Sequence, residues 1–392
     1  MALRANLRRV RSSLGPGIGI IPMVKANAYG LGVEGAVRTL RGALPGEPAM
    51  GWGVATVDEG LRLRELGVTE PIRIFSPVPP GDLPRAWKGG LRPSLSDLTC
   101  LDGLPSELSG SFDVEVDTGM GRSGFDAGEV DQWAPALLDC SGTPGLRWTG
   151  VFTHLHSADD PDHGAALASV EEQLRRFRDV LAEVDRRGEA AGHPRLERHV
   201  ANSAGALRFA DRLASFDAVR PGIALYRGSV GAEHGMQDVV AVRARVTRVA
   251  SVTEGATLGY ASTYRSQGDE RWATLGIGYG DGLPRALSNR GSALVAGRRV
   301  PIIGRISMDM TVVDVSDVAE VRPGDVATLV GSDGSEKITL AEVAEHARTI
   351  DYEILTGWTP RLPRVWMDGL DRLDPLKGAP GQTDPAFARG EA

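Results

Sequence analysis

The sequence predicts an α/β protein: an N-terminal (β/α)8, TIM-like barrel followed by a mostly antiparallel β domain. The first observation is alternation. Up to about residue 228 the β-rich runs IGIIPMVKA, GWGVAT, IRIFSP, RPSLS, FDVEVD, WTGVFTH, RHVAN and DAVRPG are separated by helical patterns. Strands alternating with helices call for parallel pairing through crossover helices, and eight of them match a closed barrel. A doubly wound open sheet shows the same alternation, so the pattern leaves closure open. The second observation is a change of texture after about residue 235. There VVAVRARVTRVASV, WATLGIGYG, ALVAGRRVPIIGRI, MTVVDVS and DVATLVG are short runs split by Gly, Asp and Pro turns, as in antiparallel sheets. The expected domains are 1–235 for the barrel and 236–370 for the β domain, with 371–392 as a disordered Pro- and Gly-rich tail.

The helices can be placed in order. MALRANLRRVRSSLG reads as an amphipathic helix rather than a signal peptide, because no apolar core precedes a cleavage-like site. In SVEEQLRRFRDVLAEVDRR, Val170, Leu174, Phe177, Leu181 and Val184 recur at helical spacing, with Gly188 as the expected stop. TLAEVAEHARTI carries Thr339 and Glu342 at capping-box spacing.

Composition excludes several classes. The 392 residues carry a net charge of −7, which argues against non-specific nucleic-acid binding. The two cysteines, Cys100 and Cys140, form no CxxC or zinc-ligand pattern. No run reaches the ~18 apolar residues of a membrane span. A cytoplasmic protein is the default expectation.

Lysine usage is unusual. Of 44 basic residues only four are lysines, at 25, 88, 337 and 377, and Lys25 follows the apolar run Ile20-Ile21-Pro22-Met23-Val24. At the carboxyl end of a first barrel strand such an amine has a depressed pKa and the nucleophilicity a Schiff base needs. Read alone, a strand-end lysine snorkelling to water explains the residue as well.

Met23-Val24-Lys25-Ala26-Asn27-Ala28-Tyr29-Gly30-Leu31-Gly32 resembles the pyridoxal 5′-phosphate (PLP) lysine signature of alanine racemases. Further matching blocks follow in the family's order: DTGMGRSG (117–124), FTHLHSAD (152–159), ANSAGAL (201–207), VRPGIALY (219–226), LGYASTY (258–264), GIGYGDGLPR (276–285), GRISMDM (304–310) and TIDYE (349–353). The resemblance spans roughly residues 5 to 370. It implies a PLP enzyme racemising alanine, working as a head-to-tail homodimer with shared active sites and supplying D-alanine for peptidoglycan.

The resemblance also assigns roles. Lys25 carries the cofactor and is one of two bases; Tyr260, lent by the other subunit, is the second. Two bases on opposite faces of the cofactor satisfy the stereochemistry of racemisation more simply than one mobile base. A phenol with a reference pKa near 10 needs polarising neighbours, here His154 and, through it, Arg220. Tyr264 is the rival within the same block. Arg220 donates to the pyridine nitrogen; since arginine hardly ever gives up its proton, that nitrogen stays unprotonated. Tyr29, Ser203, Gly222, Ile223 and Tyr352 match the phosphate ligands. Ser203, which also reads as a helix N-cap, and Gly222-Ile223 follow the last two barrel strands, a general phosphate location. Arg122 matches a contact to the cofactor's phenolic oxygen and to the substrate carboxylate, and Met308 offers that carboxylate a backbone N–H. His154, His156, Asp159, Asp160, Asp162 and His163 superficially resemble a metal cluster, but the family uses only the first; no metal is expected.

Two departures stand out. Glu115 occupies the position of a lysine that is carbamylated in some relatives, and its carboxylate is a candidate to hold Arg122 without modification. The chain also starts inside the helix that, in the family, follows an extra β-strand. Either the start is assigned late or an exposed sheet edge and lower stability are expected. Competing readings are a serine or lysine racemase, a fold-related PLP decarboxylase, and a PLP-binding regulator without turnover. The decarboxylase's glycine triplet and cysteine are not found, and the single-barrel regulator has no second domain. Broader racemase specificity is excluded least, because one hydroxyl in a small pocket discriminates weakly.

Overall fold

All eight runs read as barrel strands form strands: β1 (Gly19–Ile20), β2 (Trp52–Val54), β3 (Ile72–Pro77), β4 (Arg92–Leu95), β5 (Gly110–Asp117), β6 (Leu146–Phe152), β7 (Glu197–Val200) and β8 (Ala218–Val219). Each pairs in parallel with its neighbour in chain order. β1 lies beside β8, with Gly19 opposite Ala218 and Ile20 opposite Val219. On its other side Met23 bridges Gly53 in parallel, with Val24 N donating to Gly53 O at 2.8 Å and Gly53 N to Pro22 O at 3.0 Å. The sheet therefore closes into a barrel, and the open doubly wound alternative is ruled out. The structure is a computed structural model describing residues 1–43, 50–102, 108–141 and 145–367.

The chain divides into two compact units, one of Ala2–Val240 with Ile350–Gly357, the other centred on Ala241–Thr349. The barrel unit is buried on both faces of its strands, as the consecutive buried residues Ile72, Arg73 and Ile74 in β3 and Phe112, Asp113, Val114, Glu115 and Val116 in β5 show. The N-terminal helix α1 (Ala2–Ser13) buries Leu3, Leu7 and Val10. Its Asn6 amide donates to Leu225 O and Gln237 O, both at 2.9 Å.

The long helix α2 (His163–Ala190) begins six residues earlier than its apolar stripe indicates and runs through Gly188. Asp162 caps it, accepting from Gly164 N and Ala165 N. Gly188 does not stop it: a Cβ there would make only ordinary contacts with His193 and Leu138, and the helix continues to Ala190.

In the other unit β9 (Val242–Val252), β10 (Glu270–Leu275), β11 (Ser292–Val295), β12 (Arg298–Ile303), β13 (Thr311–Asp314), β14 (Val326–Asp333) and β15 (Glu336–Ile338) pair antiparallel throughout. β9 pairs β14 along its first half and β10 along its second, so the ring β9-β10-β13-β12-β11-β14 closes with no free edge among these six. Ala296 and Gly297, both at positive φ, turn the β11–β12 hairpin. The capping box before α3 (Leu340–Ala347) forms by half: Thr339 Oγ1 accepts from Glu342 N at 3.1 Å, while the Glu342 carboxylate pairs with Arg299.

The helix α4 (Asp351–Thr356), read from the sequence as part of the β domain, clusters with the barrel. Asp351 fixes it by accepting from Ser229 Oγ at 2.9 Å and from Ser229 N. Gly30 lets it approach, because a Cβ on Gly30 would lie 2.2 Å from Leu355 O. The tail expected to be disordered lies outside the described residues.

Candidate functional site

Parallel strands send the residues that follow them to one end of the barrel, so Lys25, Arg122, His154, Ser203 and Arg220–Ile223 share a rim. Each is held there by different local chemistry.

Lys25 does not lie in a strand. It opens a turn in which Ala26, Asn27, Ala28 and Tyr29 all have φ between 52° and 55°. Four consecutive L-residues in the left-handed region cost about 1–2 kcal/mol each. The surroundings hold the turn in place: Ala26 N donates to Glu59 Oε1 at 2.6 Å, and Asn27 Oδ1 accepts from Val33 N at 2.8 Å. Such strain persists where the conformation is over-determined, typically at functional positions. The Lys25 amine is held below its ordinary pKa, first by burial and then by Arg122, with Glu59 opposing.

Tyr29, carried round by the same turn, stacks on Tyr226 with centroids 4.7 Å apart and lies 6.3 Å from Tyr352. Tyr226 is tied off by its hydroxyl donating to Met23 O at 3.1 Å. The Tyr29 hydroxyl points at Gly222, where a Cβ would sit 2.1 Å away. Ser203, 3% exposed, accepts from Gly222 N at 2.9 Å and Ala224 N at 3.2 Å. It is not the N-cap of its helix; Asn202 is, accepting from Gly205 N at 3.1 Å. The Tyr29 and Tyr352 phenols, the Ser203 hydroxyl and the Ile223 N–H at the start of Ile223–Tyr226 thus lie together with no cation bonded to them among the described residues, a set of donors suited to an oxyanion; the Gly222 and Ala224 N–H groups here donate to Ser203.

Arg220 is buried between Phe152 and Phe75, its guanidinium carbon 5.0 and 5.4 Å from the two rings. Nη1 donates to His199 O at 2.8 Å and His199 Nδ1 at 3.1 Å; Nη2 donates to Thr153 O at 2.6 Å. These bonds take three of the five guanidinium N–H groups and fix the plane of the group, leaving the Nε–H and one Nη2–H. Burial lowers its pKa to about 10, so it stays charged at neutral pH. The sequence reading linked Arg220 to His154; the side-chain partner is instead His199. Because Nδ1 accepts, the His199 proton sits on Nε2, which faces Asp113 Oδ2 at 3.4 Å. Asp113 also accepts from Arg73 Nε at 3.0 Å.

His154 carries no side-chain hydrogen bond among the described residues and is held neutral, its pKa pushed down to about 3 by burial and then by Arg220, Arg122 and Lys25. Burial likewise takes His199 to about 3. Both bind a proton more readily unfolded, where a histidine titrates near 6.5. Stability is therefore full above pH 6.5 and falls as the pH drops, by up to about 1.4 kcal/mol per unit and per histidine. Urea unfolding from pH 7.5 to 5 is expected to show this slope, reduced in His199→Gln. A flat profile would mean that these imidazoles titrate normally.

Arg122 is exposed and makes no hydrogen bond among the described residues. Glu115 makes no hydrogen bond or ion pair with it among the described residues, although the Arg122 charge acts on the Glu115 carboxyl. Its buried carboxylate accepts from Ser123 Oγ at 2.7 Å, and burial raises its pKa. Among the described residues no group of His, Cys, Asp or Glu side chains is arranged to hold a metal ion.

Tyr260 and Met308 belong to the other unit and are 68% and 52% exposed. Gly259 at φ 66° and Ala261 at φ 60° turn the chain so that Tyr260 projects outward. Tyr264, its rival, is tied down: its hydroxyl donates to Glu270 Oε2 at 3.0 Å, its ring meets Trp272 edge-on, and burial pushes its pKa up to about 12. The Met308 carbonyl accepts from Gly280 N at 2.8 Å, and Arg361 donates to Asp309 Oδ1 at 2.7 Å.

Several of these contributors went unread. Thr56-Val57-Asp58-Glu59 shows a capping-box spacing, but its reach to Ala26 N crosses 33 residues. Asp113 lies between Phe112 and Val114, and His199 follows Glu197 and Arg198, so neither carries a local signal of its burial.

The family profile described as "Alanine racemase, N-terminal domain" matches residues 1–230, and "Alanine racemase, C-terminal domain" matches residues 239–366. An alanine racemase of Nostoc sp. is 36% identical over 380 residues, 93% of each chain. The crystal structure of alanine racemase from D-cycloserine-producing Streptomyces lavendulae superposes with a TM-score of 0.85 at 32% identity, covering 94% of this chain and 95% of that one. Alanine racemase from Bartonella henselae, solved with covalently bound pyridoxal phosphate, gives a TM-score of 0.81 at 29% identity, covering 93% and 97%.

Proposed function

The chain belongs to the alanine racemase family, and we propose that it interconverts L- and D-alanine with PLP held by Lys25 and with Tyr260 of a second subunit as the opposing base. The observation that carries this reading is the convergence at one barrel rim of a depressed amine, a cation-free set of oxyanion donors and a buried, oriented arginine. That set fits PLP: an amine for its aldehyde, hydroxyls and amides for its phosphate, an N–H for its ring nitrogen. A Cβ would fill the space at Gly222 that the phosphate site shares with Tyr29. When bound, the cofactor supplies an electron sink that makes the α-proton of an amino acid removable.

The protein's own residues do the rest. Lys25, its pKa lowered by burial, would accept or return the α-proton on one face. Tyr260 does so on the other, its phenol polarised by His154. Neutral His154 leaves the positive charge to Arg220 and Arg122, where it meets the ring nitrogen and the substrate carboxylate. The backbone N–H of Met308 takes the other end of that carboxylate. Tyr29, Ser203, Gly222, Ile223 and Tyr352 hold the phosphate.

The exposed Tyr260 and Met308, on a unit whose own side chains leave them without cover, support a head-to-tail homodimer in which each chain completes its partner's site. No helix among the described residues is long and apolar enough to cross a membrane. The reading includes a cytoplasmic enzyme supplying D-alanine for peptidoglycan.

Purified protein with PLP is to be incubated separately with L-alanine, L-serine and L-lysine and the D-isomers assayed. D-alanine as the main product supports the reading; D-serine or D-lysine in its place moves the specificity, and no D-product removes the activity. Ser203→Ala is expected to weaken PLP binding roughly 3- to 10-fold, the worth of one hydrogen bond in a site that keeps its other donors. Equilibrium titration with PLP measures it, and unchanged affinity would take Ser203 out of the phosphate site.

A further inference from the structure

We infer that Gln173, which none of the motifs includes, is a positioning residue: from α2 it fixes the two strand-end segments that carry His154 and Arg122, and through Thr153 it sets Arg220. The side chain is 2% exposed, and both N–H donors of its amide and one lone pair of its oxygen are directed at these segments. Nε2 donates to His154 O at 3.0 Å and to Thr118 Oγ1 at 3.1 Å, and Oε1 accepts from His156 N at 3.0 Å. Thr118 Oγ1 in turn pairs with Thr153 Oγ1 at 2.7 Å, both buried. Thr153 O is the acceptor that holds Arg220 Nη2 at 2.6 Å.

One amide thus grips the main chain on both sides of Leu155, directly after His154, and the residue that opens the Arg122 loop. Backbone groups past a strand end have no ladder partner, so without Gln173 the His154 carbonyl and the His156 N–H lose the partners that the structure gives them. The His154 ring itself has no side-chain bond, so its place follows from its main chain alone. A helix residue far from the chemistry therefore decides where a neutral imidazole and a buried guanidinium stand. Carbonyl and hydroxyl acceptors require a donor at Nε2, and the His156 N–H requires an acceptor at Oε1; glutamine meets both demands in one uncharged group.

The inference rests on the racemase reading, and its test separates the two. Gln173→Met keeps length and apolar volume and removes all three bonds; Gln173→Glu keeps the acceptor and loses both donors when ionised. In Gln173→Met the His156 amide is expected to lose hydrogen-exchange protection while the amides of α2 keep theirs. With PLP and α-deuterated alanine, kcat is expected to fall by about 10- to 100-fold, the scale of a small misplacement. The deuterium isotope effect should rise in one direction of racemisation only, because one of the two proton transfers is slowed. Gln173→Glu should show a loss of kcat with rising pH that the parent lacks. Equal loss in both directions with unchanged isotope effects, or unchanged His156 protection, would overturn the inference and leave Gln173 a packing residue. The exchange readout decides even if the parent protein does not racemise alanine, a result that would sink the functional reading alone.

Discussion

Lys25→Ala is expected to abolish racemisation, by more than about 10³-fold, because it removes both the covalent anchor and one proton acceptor in a single substitution. The loss should appear in both directions and should not be recovered by Lys25→Arg, which restores charge without a group that condenses with an aldehyde. Fold stability is expected to move the other way in Lys25→Met. The amine is desolvated and faces the charges of Arg122 and Arg220, so its protonated form is disfavoured in the folded state. Replacing it with an apolar chain of similar length removes that cost, as expected where function is held at the expense of stability. Thermal unfolding of the cofactor-free proteins measures this. A Lys25→Met variant that keeps a tenth of the activity would remove Lys25 from the chemistry.

Tyr260→Phe is expected to lower racemisation by about 10²- to 10⁴-fold, the usual worth of a positioned general acid–base group. Exchange of the α-proton with solvent should survive for one enantiomer, since Lys25 still serves its own face. Tyr264→Phe should cost little catalysis, because that phenol is committed to Glu270, but about 1 kcal/mol of stability. Co-expressing Lys25→Ala and Tyr260→Phe chains gives the sharper result. In a mixed dimer one of the two sites receives Lys25 from one chain and Tyr260 from the other, so about half of parental activity should return there, and about a quarter in a randomly paired population. No recovery in verified mixed dimers would place both bases on one chain.

The fold was largely legible because its signals are local. Strand–helix alternation and the shift to short antiparallel runs follow from side-chain periodicity, and all eight barrel strands appear where those runs lie. Closure was not legible, since it depends on Met23 meeting Gly53 across the seam. Nor was the start of α2, where one capping aspartate outweighs the apolar stripe. The placement of α4 depends on Asp351 reaching Ser229, 122 residues away.

The site divides in the same manner. Motif blocks named Lys25, Arg220 and Tyr260, residues whose types betray chemistry. They did not disclose the left-handed turn, because Ala and Tyr carry no sign of positive φ and one Asn accounts for a single such residue, not four in a row. Glu115 illustrates the opposite error. Its charge suited a role beside Arg122, yet the geometry turns its carboxylate to Ser123. His199, Asp113 and Gln173 act through buried long-range bonds, which no local pattern records.

The sparse lysines permit a decisive measurement. Borohydride reduction of the PLP-loaded protein, followed by digestion and mass spectrometry, marks whichever lysine held the cofactor. With lysines only at 25, 88, 337 and 377, the pyridoxyl group should be found on the peptide containing Lys25. Finding it on Lys88, Lys337 or Lys377, with Lys25 unmodified, would contradict the assignment from which every catalytic role above is derived.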